Sequence, residues 1–381
     1  MNITVPKKDL LRLVGRCQGV VDKKNALPVL ANVLISVETP NLLRVAATNL
    51  YLAMSGETEA HIDQPGSTAV HARDLYDRIR AMPDGSISIE VGESGSTDVR
   101  SCSLPRRYRL QSLPVDSFPA LPEPAPDAQE LKLEVSVLSS LINQTQFSIS
   151  SDESRPNLNS AFFQWEGDAI RMVTTDGHRL TKAETLVADR NANVTMLIPL
   201  KAITELRKLT EEIKSNAEDV GDSPTVTIIQ SGPNAFFRFG DTVFCAKLVE
   251  AQFPPYQHVI PRASERVFRA PRVPWADALR AVALASDDRT GGVKISIETS
   301  TMKITSESLA SGDGFDEIPI DYDDKPMTIA LNAKYLLDIL AVLDDDEVQV
   351  SLSGELDPIV IRPATLSENK SFVGIIMPMR T

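Results

Sequence analysis

Thr174-Thr175-Asp176-Gly177-His178-Arg179-Leu180 lies near the middle of a 381-residue chain. It separates two runs of strand-like composition, Ala169–Val173 and Leu180–Val187. Asp-Gly between such runs reads as a tight hairpin turn, because glycine takes positive φ without steric penalty. Such a turn is either polar simply because it is exposed, or it displays His178 and Arg179 for a purpose. Aspartate beside histidine can do acid–base work. No nucleophile or metal-ligand pattern stands near it, so catalysis is not the first expectation.

The surrounding composition narrows the choice. A net charge of −13 argues against a simple basic surface for nucleic acid. Cys17, Cys102 and Cys245 are far apart and odd in number, which gives neither a metal pattern nor a disulfide framework and suits a reducing cytoplasm. The start, Met-Asn-Ile-Thr-Val-Pro-Lys-Lys, does not read as a signal peptide, and no apolar run is long enough to span a membrane. The phosphate-binding, dinucleotide-binding and nucleophile-elbow glycine patterns are all missing, which disfavours the common enzyme classes.

Outward from the turn, the same grammar recurs. Ile3 and Val5 alternate as a strand; Leu10, Leu13, Val14 and Cys17 then mark one helix face, beginning near Pro6, and Val29–Val37 reads as a strand. Leu131, Leu133 and Val135 lead likewise into Leu138, Leu141, Ile142 and Thr145, then a strand at Leu158–Trp165. Val267, Phe268 and Ala270 lead into Leu279, Val282 and Ala283, then Val293–Ile297. The second halves match too. Thr68–Met82, Thr195–Leu209 and Thr328–Val342 each read as a short strand and a helix, followed by strands at Ser86–Val91, Thr225–Ile229 and Val348–Leu352. Leu113 and Leu248 are each followed five residues later by Phe-Pro, at Phe118-Pro119 and Phe253-Pro254. The repeat is roughly 125–135 residues, the size of a domain. Leu121–Asp127 reads as a semi-rigid linker and Pro261–Glu265 as a second connector. The expected domains are 1–127, 128–263 and 264–381.

Specific pieces of this pattern resemble the bacterial DNA polymerase sliding clamps, the β subunit of polymerase III. They are Thr175-Asp176-Gly177-His178-Arg179-Leu180, Phe253-Pro254-Pro255-Tyr256, Met377-Pro378-Met379-Arg380, Leu27-Pro28-Val29-Leu30-Ala31-Asn32 and Leu158-Asn159. The resemblance runs from end to end. It implies an α+β chain: three tandem copies of the clamp fold, each with two helices packed on antiparallel sheets, in a head-to-tail homodimeric ring with helices inside. A heterologous interface of this kind closes into a ring when the rotation allows. It implies no catalytic residues, metal or cofactor. The implied partners are encircled double-stranded DNA, a second copy of the chain, the replicative polymerase α subunit, a clamp loader, and other polymerases and repair proteins carrying clamp-binding peptides.

A ring held on DNA by topology tolerates an acidic chain if its lining is mildly basic. Lys8, Arg12 and Arg16 form a basic stripe on the first helix and, with Lys23, Lys24, Arg73, Arg155 and Lys201, are the expected DNA-facing residues. The resemblance further implies a peptide groove between the second and third domains. Its lining would be Leu158, Thr175, Gly177, His178, Arg179, Leu180, Pro254, His258, Val259, Pro358, Ile375, Ile376, Met377, Pro378 and Met379, with His178 and Arg179 as polar rim groups. Met suits a site that accommodates several partners. The chain departs from the family at Pro156-Asn157, where some members present aromatic residues to DNA, at His258, where some have arginine, and at Thr381, usually apolar. Dimer contacts are expected near Arg106–Arg109 and, on the other chain, Leu284 and Ala285. Asp344–Glu347 reads as a solvated acidic loop. The alternatives are a non-catalytic scaffold of the same fold without DNA, and a hydrolase using Asp176 and His178.

Overall fold

Helix and strand periods lie where the apolar spacing puts them. The computed structural model describes residues 1–22, 27–39, 41–92, 95–187, 192–218, 221, 223–261, 265–287 and 290–379. Its helices are α1 (Lys7–Cys17), α2 (Ala72–Arg80), α3 (Val135–Thr145), α4 (Leu200–Glu218), α5 (Arg272–Ala283) and α6 (Ala333–Leu340). Two per repeat is the expected number. Leu10, Leu13, Val14 and Cys17 of α1 are buried, as are Leu138, Leu141, Ile142 and Thr145 of α3, so each face read at i, i+3, i+4, i+7 packs inward. One expected strand starts differently. Pro28–Ala31 winds into a 3₁₀ turn before the strand Asn32–Thr39, since Pro28 presets the φ of a turn.

The chain forms two units, Met1–Ser136 with Thr204–Leu248, and Val137–Ile203 with Val249–Thr381. These do not follow the three repeats, because strand pairing crosses the expected domain limits. In the first unit thirteen antiparallel strands form one sheet. Its seam is the pairing of Leu52–Glu59 with Thr242–Lys247, in register at Ala53 and Cys245. There α1 packs against α2.

In the second unit an eight-stranded sheet runs from Ala192–Pro199 at one edge to Arg266–Pro271 at the other. Its seam is Arg179–Leu186 against Lys370–Ile376, with Leu180 opposite Ile375 and Arg179 opposite Ile376. A separate four-stranded sheet has Gly312–Pro319 and Met327–Asn332 as its edges. Helices α5 and α6 pack together. At Gly374 an added Cβ would lie 2.6 Å from Cδ1 of Ile339 on α6, so only glycine lets the strand lie this close to the helix.

Candidate functional site

The hairpin at Thr175–Leu180 is held by its own polar side chains. The Asp176 carboxylate accepts from the backbone N–H of His178 at 2.9 Å and of Arg179 at 3.0 Å. Thr175 Oγ1 donates to the Arg179 carbonyl at 2.6 Å and accepts from the Gly177 N–H at 3.1 Å. Gly177 takes a φ of 94°, the region glycine enters freely. Because both Asp176 oxygens serve the turn and Arg179, they do not assemble the Asp176–His178 pair that a hydrolase would need.

Successive strand residues point to opposite faces, and this splits the expected groove residues. Leu180 and Ile375 lie on one face, in a buried cluster with Val173, Tyr256, Val360 and Val373, against which Phe162, Phe253 and Ile260 pack. The Phe162 and Phe253 rings stack at 5.3 Å between centroids. Thus the turn strand, the Phe-Pro-Pro-Tyr connector and the last strand converge as expected. Around this base Gly177, His178, His258 and Val259 are exposed, Met377 is 40% exposed, and Pro254, Pro358 and Pro378 are half-buried. Leu158 and Thr175 are buried. Met377 donates its N–H to the His178 carbonyl at 2.8 Å, tying the tail to the turn.

Arg179 goes the other way, a correction to the expected rim group. It is 8% exposed. Its Nε donates to Asp176 at 3.0 Å, Nη1 to Asp338 at 2.6 Å, and Nη2 to the Phe147 carbonyl. The guanidinium lies 4.3 Å over the Tyr335 ring. Burial pushes the Tyr335 phenol above its usual range, the nearby Asp176 raises it further, and Arg179 opposes this. Arg179 is therefore an internal brace between the turn and α6. Ile376, opposite it in register, is fully buried and shares the sheet face of Arg179, the face away from Leu180 and Ile375. Met379 also leaves the turn: its N–H donates to the Ala330 carbonyl at 2.8 Å on the four-stranded sheet, and its side chain lies beside Gly292.

Comparison with known proteins now decides the family. Profiles of the N-terminal, central and C-terminal domains of the DNA polymerase III beta subunit match residues 1–122, 132–255 and 257–380. The chain belongs to the DNA polymerase III beta subunit family. It is 29% identical over 387 residues to the beta sliding clamp of Caulobacter vibrioides and 28% identical over 382 residues to that of Escherichia coli, each match covering 100% of both chains. A solved sliding clamp from Bartonella birtlesii bound to griselimycin is 33% identical with a TM-score of 0.91, again covering 100% of both chains. The fold is thus the clamp fold, in three successive copies.

Among beta subunit features, the basic stripe is altered by tertiary contacts. Arg16 has an 8% exposed side chain; Nη2 donates to Glu212 at 2.9 Å and Nη1 to Thr242 Oγ1 at 2.5 Å. Arg12 donates to Asp241 at 2.9 Å. Burial pushes the Asp241 carboxyl up, but the Arg12 and Thr242 hydrogen bonds and the two arginine charges outweigh this and hold it below the usual range. Arg12 and Arg16 therefore join α1 to α4 and the turn before Thr242–Lys247 instead of forming an open lining. Lys8 on the same helix is exposed. Arg73 and Lys201 are exposed and pair loosely with Asp77 at 3.6 Å and Glu153 at 3.5 Å. Arg155 pairs with Asp152 and reaches within 4.0 Å of where a Gly177 Cβ would stand, which brings it to the Asp176-Gly177 turn. Lys23 and Lys24 lie outside the described residues, as do Arg380 and Thr381.

Tyr335 and Asp338 were missed as site residues. Helical spacing marked Tyr335 as a core position, and Asp338 carried no reading of its own; in the structure it also pairs with Lys334, four residues earlier, at 2.7 Å. Nothing local to α6 signals that both meet an arginine from residue 179.

Proposed function

We propose that the chain is a sliding clamp, two copies closing head to tail around duplex DNA and tethering the replicative polymerase and other DNA-processing proteins. The observation that carries this is the succession of all three beta subunit domains, in order, over residues 1–380. The role is tethering without catalysis, in the cytoplasm, and among the described residues no helix is long and apolar enough to cross a membrane. The domain limits 1–127, 128–263 and 264–381 belong to the same reading.

In this reading the peptide site has Leu180, Tyr256, Val360 and Ile375 as its base, with His178, His258, Val259, Met377, Pro254 and Pro358 around it. An apolar anchor on an extended peptide fits such a surface, and few contacts carry most of the affinity. Lys8, Arg73, Arg155 and Lys201 are exposed cations offered to DNA. Dimer pairing uses strand edges of opposite charge. The Arg107–Leu113 strand, preceded by Arg106, pairs on one side with Ser96–Ser101 and on the other only at Ser112 and Leu113, with Val70 and Ala69, which leaves one side of Arg107–Gln111 open. The edge strand Gly312–Pro319 carries Asp313, Asp316 and Glu317. Open edges of this kind invite pairing.

The test is topological. Protein placed by a clamp loader on nicked circular plasmid should stay bound through gel filtration and be lost once the plasmid is cut. Equal retention on circular and linear DNA would overturn the encircling role.

A further inference from the structure

The turn that anchors the tail has a second copy in the first unit. Strands Leu42–Thr48 and Leu52–Glu59 meet with Thr48 opposite Ala53, as Thr175 stands opposite Leu180. Asn49 Oδ1 accepts from the N–H of Tyr51 at 3.0 Å and of Leu52 at 2.7 Å, the role of Asp176. Thr48 Oγ1 donates to the Leu52 carbonyl at 3.0 Å and accepts from the Leu50 N–H at 3.0 Å, the role of Thr175. Lys247 donates its N–H to the Tyr51 carbonyl at 2.8 Å, as Met377 does to His178. The preceding connectors correspond as well. In Phe118-Pro119-Ala120-Leu121, Leu121 packs on Ala53, Phe236 and Cys245. In Phe253-Pro254-Pro255-Tyr256, Tyr256 clusters with Leu180, Val360 and Ile375.

Two substitutions distinguish the copies. Leu50 stands where the other turn has Gly177, at a φ of 75°, a conformation that L-residues adopt with strain. Leu50 is 56% exposed and Tyr51 69% exposed. Lys247 stands where the other has Met377; it is exposed and makes no ion pair among the described residues. Beside them is a hollow of about 320 Å³ whose lining includes Leu50, Tyr51, Leu121, Pro122, Cys245 and Lys247.

We propose that this hollow is a second docking site, for an extended peptide of another protein carrying an apolar anchor with a carboxylate side chain next to it. The anchor covers Leu50 and Tyr51, whose apolar surface is otherwise left in water. The carboxylate meets Lys247, an exposed cation without an ion pair among the described residues, on a chain of net charge −13. The chain's own connector does not fill the hollow, because Leu121 and Pro122 are part of its wall. The inference shares with the proposed function the idea that such a junction holds a peptide, and the experiment separates the two.

A fluorescein-labelled peptide, Gly-Leu-Ser-Phe-Asp-Asp, is titrated into the full-length protein by calorimetry and anisotropy. The variants are Lys247→Glu, Leu50→Gly, which keeps a residue suited to positive φ, and deletion of Met377–Thr381. The unaltered protein should bind at two sites, with each of the three variants losing one. Lys247→Glu should weaken the first-unit site about tenfold, and a peptide with Lys in place of each Asp should restore it. A single site that the tail deletion removes and Lys247→Glu leaves intact overturns this proposal and spares the partner groove. A single site lost only in Lys247→Glu and Leu50→Gly supports it and removes the partner groove. No binding overturns both.

Discussion

At Arg179 the guanidinium holds two carboxylates, a carbonyl and an aromatic face together, and the geometry sets the outcome of changing it. Arg179→Ala leaves Asp176 and Asp338, with side chains only 16% and 22% exposed, without their shared cation. Urea unfolding should show a loss of about 3 kcal/mol, the usual scale for breaking a buried pair from one side. Arg179→Lys should recover little, since an ammonium lacks the planar fork. Lost peptide binding with unchanged stability would return Arg179 to the rim. The cysteines give a second check. Burial pushes the thiols of Cys17 and Cys245 up to about 12, with the neighbouring Arg16 charge opposing at Cys17. Cys102 is exposed. At pH 8 a thiol reagent should label Cys102 promptly and the other two only in denaturant, because the thiolate is the reactive form. Unfolded thiols release protons at lower pH than these folded ones, so the unfolded state binds fewer protons above about pH 8.5 and stability falls as pH rises there. The turn itself was legible at this scale, since Asp-Gly has one strong meaning. Arg179's partners were not, because strand alternation and a helix more than a hundred residues away decide them.

At the scale of elements, α1 shows how far periodicity reaches. Its apolar face was readable because helix geometry fixes which residues share a side. The charged face was not, because Glu212 and Asp241 meet it only after the sheet has formed. Arg16→Ala should therefore lower unfolding stability by about 2 kcal/mol, the scale of charged hydrogen bonds at a mostly buried group. Lys8→Ala should change stability by less than about 0.5 kcal/mol and instead weaken retention on DNA at low salt. Thermal unfolding beside salt-dependent retention separates them; equal stability loss in both variants would place Lys8 in the same internal network.

For the molecule as a whole, the tail is the sharpest probe. Deleting Met377–Thr381 removes the Met377 bond to the turn and the Met379 bond to Ala330, while the Lys370–Ile376 strand keeps its pairing. Peptide affinity should fall by about tenfold or more, as loss of a buried anchor contact gives, and sedimentation should still show a dimer. Unchanged affinity would take the tail out of the site, and a monomer would mean that the tail supports the fold.

The sequence by itself determined the repeat, the two helices and strands of each copy, the turn at Asp176-Gly177 and, through its motifs, the family. These follow from local rules: backbone sterics, the two side-chain periods and glycine's access to positive φ. Only the tertiary structure decided which charges stay free and which are consumed. Arg12, Arg16 and Arg179 look like Lys8 in the sequence, yet each meets a carboxylate across 150 residues or more or within a turn braced by a helix. It also decided that Thr48–Leu52 repeats the Thr175–Arg179 turn, because that likeness is carried by strand register and by side-chain-to-backbone hydrogen bonds in which Asn49 can take the part of Asp176.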